Sequence, residues 1–191
     1  IRRCYRILIP YVDQIGLVGF STGGSLVLQL AAEQPEKLAG VASISAPVKF
    51  RNRNLIFVPL LHGANTIARW IPSLEGVMPF RPNPSEHPDV NYGSIPIRGL
   101  YELRQTVDAL LKVLPTITAP TLVVHGKDDP VIDSSSANTI LEALGSEEKQ
   151  LELIESTRHG IAYENIGNCQ QMVLSFVESL RSEIPQIALV S

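Results

Sequence analysis

The sequence predicts an α/β fold built on a mostly parallel sheet. Three observations carry that expectation: apolar runs of strand length with no polar alternation, amphipathic helical stretches between them, and a glycine-rich turn where one passes into the other. The 191 residues, 45% hydrophobic and 18% charged, suffice for a sizeable core and are too apolar for disorder. A formal net charge of −3 with no basic block argues against nucleic acid as a partner. No apolar run approaches the roughly 18 residues of a membrane span. Cys4 and Cys169 make no disulfide framework, which points to a reducing, cytoplasmic setting.

The elements follow in order. Residues 2–8 mix charged and apolar positions like the last turns of a helix, and Pro10 and Asp13 mark a connection. Residues 15–20, IGLVGF, read as a strand buried on both faces. After the turn Ser21-Thr22-Gly23-Gly24, residues 25–34 place Leu26, Val27, Leu30 and Ala31 at helical spacing before Pro35. Residues 40–46, GVASISA, form a second buried strand, completing a βαβ unit. Residues 47–96 hold more than half of the fourteen prolines. They show only broken periodicity, with short helical pieces near 55–61 and 67–72 and no strand. Their Leu, Ile, Phe and Trp content predicts a helical insertion that packs on something rather than a linker. Regular pattern resumes with a helix over 100–114, a buried strand over 120–126, and a helix over 134–144 capped by Asp133 or Ser134. An edge strand over 149–155 and a closing helix over 166–180 complete the chain. The core is therefore expected over 1–46 and 97–191, interrupted by the insertion at 47–96.

Gly19-Phe20-Ser21-Thr22-Gly23 matches G-x-S-x-G at a strand-to-helix junction, where a nucleophile elbow belongs. So tight a turn requires flanking positions without side chains, hence Gly19 and Gly23, and it pushes Ser21 out above the carboxyl edge of the sheet. The plain alternative, a glycine-rich phosphate cradle, lacks the lysine and spacing of a P-loop. A serine hydroxyl needs a base, and that base needs an orienting acid. Of the four histidines, His62 and His87 fall in the insertion and His125 ends a strand as a sheet-edge residue. His159 stands in a loop between the last strand and the closing helix, at the same edge as Ser21. The acid is expected in the loop after the preceding strand, where Asp128 and Asp129 are adjacent. Geometry read from sequence does not separate them.

The stretches LVGFSTGGSL, ITAPTLVVHGKDDPVI and STRHGIAY resemble the carboxylesterase and monoacylglycerol lipase branch of the α/β-hydrolase superfamily. The helix GLYELRQTVDALLKVL and the helix start SSSAN are similar to it as well. The resemblance implies a Ser21–Asp129–His159 triad, with Asp129 at the family's acid position and Asp128 a bystander. It implies an oxyanion donor at the Thr22 N–H, and a cap over 47–96 lining an apolar acyl pocket with Phe20, Leu60, Trp70 and Ile71. Phe57, Leu61 and Met78 could add to that surface. The function implied is hydrolysis of short or medium acyl esters or monoacylglycerols through an acyl-enzyme, with a small-molecule ester as partner and neither cofactor nor metal. Thioesterase or acyltransferase chemistry and a non-catalytic binding module are the alternatives; an aspartate in place of Ser21 would have marked a dehalogenase or epoxide hydrolase. In that family the elbow follows the fifth of eight strands. Ile1 is accordingly expected to lie part-way along a longer fold, with the first half of the sheet and the second oxyanion donor absent from these residues.

Overall fold

The computed structural model describes residues 1–68, 70, 78, 80–83, 86, 88–89 and 91–181. Helix α1 (Arg2–Leu8) leads through a 3-10 turn into strand β1 (Ile15–Phe20), helix α2 (Thr22–Ala32) and strand β2 (Leu38–Ile44). A 3-10 turn over Arg53–Phe57 then runs directly into helix α3 (Val58–Ala68). Two short strands, β3 (Phe80–Pro82) and β4 (Ser94–Pro96), precede helix α4 (Ile97–Val113). Strand β5 (Thr121–Gly126), helix α5 (Ser135–Ala143), strand β6 (Lys149–Ile154) and helix α6 (Cys169–Arg181) complete the order.

The main sheet runs β1-β2-β5-β6 with every pair parallel. All four strands therefore end along one edge. There Phe20 pairs with Ile44 and Gly126 with Ile154, and every loop that follows a strand emerges on that side. Strand β5 lies between β2 and β6, and all six of its residues are buried. That explains an apolar run without alternation.

Alternate residues feed two layers. Val41 and Val123 face helices α2, α4 and α5, where they meet Leu28, Ala31, Leu110, Leu114, Ala137 and Ile140. Ala42, Ile44, Leu122 and Val124 face the other way and pack with Ile154, Ile161, Phe176 and Leu180 under α6. Helices thus cover both faces of a parallel sheet, the layering of α/β folds.

Three expectations need correction. Strand β1 is not buried on both faces. It is an edge strand among the described residues, and Gly16 and Val18 on one of its faces are exposed. On α2 the inward stripe runs through Val27, Leu28 and Ala31, whereas Leu26 points outward. The segment 47–96 does contain strands. β3 and β4 pair antiparallel, Phe80 with Pro96 and Pro82 with Ser94, and a two-stranded ribbon is all edge, where proline costs no ladder bond. The helical piece expected at 55–61 is present and continues to Ala68 as α3, because Pro59 sits in its first turn, where its missing N–H has no intrahelical acceptor to lose; residues 69, 71 and 72 of the piece expected at 67–72 lie outside the described residues. Two links tie α3 down. The His62 ring stacks on Tyr101 of α4 at 4.3 Å, and the Asn65 amide exchanges two hydrogen bonds with the backbone of Met78.

No described helix is long and apolar enough to cross a membrane. Leu110 has no exposed surface and joins α4 to α2 and the sheet. Leu110→Ala is expected to destabilise the fold by about 2–5 kcal/mol, seen as a lower urea midpoint with an unchanged slope.

Candidate active site

The site begins with a backbone constraint. A Cβ placed on Gly19 would lie 2.3 Å from the carbonyl oxygen of Gly23, so the end of β1 and the first turn of α2 approach closer than any side chain allows. Gly24 is crowded too, its Cβ position lying 3.0 Å from both Ala46 Cβ and Ser43 Oγ. Gly23 differs from expectation: no described atom lies within 4 Å of its Cβ position. It supplies the crowding carbonyl, and its own Cα faces away. Between these contacts Ser21 adopts φ 53° and ψ −124°, a conformation costing a non-glycine residue on the order of 1–3 kcal/mol. Its N–H donates to Ile44 O at 2.8 Å, and its carbonyl accepts from Gly24 at 2.9 Å. The side chain is thus held above the carboxyl edge of the sheet. Thr22 opens α2, so its N–H has no intrahelical carbonyl to bond.

The loops after β5 and β6 meet Ser21 there. His159 Nε2 lies 2.9 Å from Ser21 Oγ, and His159 Nδ1 lies 2.7 Å from Asp129 Oδ2. Asp129 is fully buried, and its other oxygen accepts from the N–H groups of Val131 and Ile132 at 2.8 and 2.9 Å. Burial pushes its carboxyl pKa up, but the bonds from His159, Ile132 and Val131 outweigh burial and hold it below the ordinary carboxylate value. An ionised Asp129 fixes the proton on His159 Nδ1 and leaves Nε2 free to accept from the serine hydroxyl. The two aspartates that sequence did not separate differ in placement, and Asp129 is the one that reaches the His159 ring. Asp128 is exposed, and its backbone N–H donates to Ser156 O at 3.0 Å.

The other predicted positions divide. The Phe20 ring packs against His159, with centroids 5.1 Å apart. Leu60 and Trp70 are 70% and 87% exposed. Ile71 and His87 lie outside the described residues. His125 is not a sheet-edge residue. It has no exposed surface, its ring is buried beneath the acid with Nε2 3.7 Å from Asp129 Oδ2, and it lies on the central strand. A residue that sequence did not single out also reaches the site. The Glu86 carboxylate accepts from the N–H groups of His159 and Gly160, and it comes from a proline-rich run with no pattern pointing to it. A cleft of about 400 Å³ lined by Asp128, Glu155, Ser156, Thr157, Arg158 and Ile166 flanks these loops but does not include Ser21.

Residues 10–166 match the Hydrolase_4 family, described as serine aminopeptidase, S33. The chain belongs to this α/β-hydrolase family. The Bacillus subtilis (strain 168) carboxylesterase is 26% identical to it over 169 residues, 88% of this chain and 65% of that protein. The human monoglyceride lipase is 28% identical over 153 residues, 75% of this chain and 50% of the lipase. The chain thus spans between half and just under two thirds of these relatives' length. The solved Paleococcus ferrophilus monoacylglycerol lipase superposes with a TM-score of 0.69 at 22% identity, over 95% of this chain and 73% of that one. A structure from the metagenome-derived lipolytic enzymes LipS and LipT gives 0.74 at 21% identity, over 95% and 70%. Both likenesses establish the fold.

Within this α/β-hydrolase, burial pushes the His125 pKa below the ordinary histidine value, with Asp129 opposing. As pH falls below about 6.5, the unfolded ring takes a proton that the folded ring refuses, so stability declines. His125→Leu is expected to flatten that decline in urea midpoints compared between about pH 7.5 and 5.5. An unchanged slope would show that the ring is not held neutral.

Proposed function

We propose that this chain carries the catalytic machinery of a serine hydrolase acting on uncharged carboxylic esters. The observation that supports it most is the continuous hydrogen-bonded line from Ser21 through His159 to buried Asp129. Ser21 Oγ attacks the ester carbonyl while His159 Nε2 takes its proton. Asp129 holds the Nδ1–H and offsets the imidazolium charge. The Thr22 N–H stabilises the oxyanion. His159 then gives the proton to the leaving alcohol, and a water that it activates releases the acid from the acyl-enzyme. Nothing in this sequence of steps calls for a metal or cofactor.

Segment 47–96 acts as a cap in this proposal. Its exposed Phe57, Leu60, Ile67 and Trp70 suit an acyl chain better than a charged substrate. Relatives named carboxylesterase and monoglyceride lipase favour short or medium acyl esters or monoacylglycerols.

The test is a panel of p-nitrophenyl esters, with acyl thioesters and aminoacyl anilides as competing substrate classes. Ester turnover is expected to fall to background in Ser21→Ala and by about 10⁴ in Asp129→Asn, while Asp128→Asn stays near wild type. Activity that survives Ser21→Ala, or that Asp128→Asn abolishes, would overturn the assignment.

A further inference from the structure

The bonds of Glu86 have no role in the chemistry above, and they are unusual in what they join. Glu86 belongs to the connection between β3 and β4, in segment 47–96. It reaches across to the loop after β6, where both its oxygens lie 3.1 Å from the His159 N–H. One oxygen also accepts from the Gly160 N–H at 3.3 Å. Its side chain is only 25% exposed. Arg158 does not explain the contact. The Arg158 guanidinium lies 4.0 Å from the carboxylate and is engaged at 2.7 Å by Glu164. The carboxylate is committed to backbone N–H groups.

We propose that Glu86 is a positioning residue that fastens the His159 loop to the cap. Both ends of the contact trace back to one helix. From Glu86 the chain returns through the β3–β4 ladder, closed by Asn83 N–H to Gly93 O at 3.0 Å, and passes straight into α4. That helix is held to α2 by the Gln29 side chain, which donates to Thr106 O at 2.7 Å. Helix α2 begins one residue after Ser21. Ser21 and the backbone of His159 are therefore referenced to the same scaffold from two sides, and Glu86 closes the loop. Any displacement of the cap that withdraws Glu86 frees the histidine loop, so cap position and the Ser21–His159 distance are coupled.

Only the kinetic half of the test rests on the hydrolase proposal. Amide hydrogen exchange is measured on the whole chain for wild type, Glu86→Ala and Glu86→Gln, with the Lys127 amide, bonded to Ile154 O, as an unaffected reference. In Glu86→Ala the His159 and Gly160 amides are expected to exchange at least about tenfold faster. In Glu86→Gln, whose carbonyl oxygen still accepts, they stay near wild type. Ester turnover by the same variants is expected to lose about 10–100-fold in kcat with little change in KM for Glu86→Ala, largely restored in Glu86→Gln. Wild-type exchange at both amides in Glu86→Ala overturns the latch, whatever the activity. Faster exchange with kcat unchanged overturns its positioning role. Absence of Ser21-dependent turnover in the wild type instead defeats the hydrolase proposal and leaves the exchange result to judge the latch.

Discussion

The site depends on one close approach, the backbone of Gly19 against the carbonyl of Gly23. Every later feature is measured from it. With no side chain between them, strand β1 turns into helix α2 within a single residue, and that residue is left with a positive φ. A strained residue persists only where its surroundings over-determine it. Here the Ser21 N–H is tied to β2, and its carbonyl to the first turn of α2. The Ser21 Cα–Cβ bond is consequently aimed by the scaffold, and Thr22 opens the helix directly after it.

The sheet supplies the partners because it is parallel. The carboxyl ends of β1, β5 and β6 bring Ser21, Asp129 and His159 to one edge, and the histidine does not have to search for either neighbour. Burial gives this arrangement its electrostatic character. Asp129 sits without solvent exposure, yet it is held ionised by two backbone N–H groups and the imidazole. His125 beneath it is fully buried, which is tolerable for a neutral ring and costly for a charged one.

Much of this was legible in the chain. Strand β5 could be read because total burial erases alternation, and Ser21 because G-x-S-x-G has a steric cause at a strand-to-helix junction. His159 followed from the common direction of the strands. Asp128 and Asp129 were indistinguishable locally, since what separates them is which carboxylate the turn buries under the histidine; the resemblance to known hydrolases pointed to Asp129. The exposed face of β1 was not legible, because IGLVGF reads as buried wherever a neighbour is assumed. The β3–β4 ribbon was hidden by its prolines, which argue against strands except at edges. Glu86 carried no signal at all. Its partners are backbone N–H groups more than seventy residues away, and backbone donors leave no trace in a sequence pattern.

In the proposed mechanism the reactivity of Ser21 depends on the His159 imidazole. The most direct measurement is the site of attachment of a fluorophosphonate probe, mapped by mass spectrometry in wild type and His159→Asn. An adduct is expected on the peptide carrying Ser21, and its loss when His159 is replaced although Ser21 remains. An adduct spread over other serines, or one on Ser21 that forms equally fast without the imidazole, would contradict it.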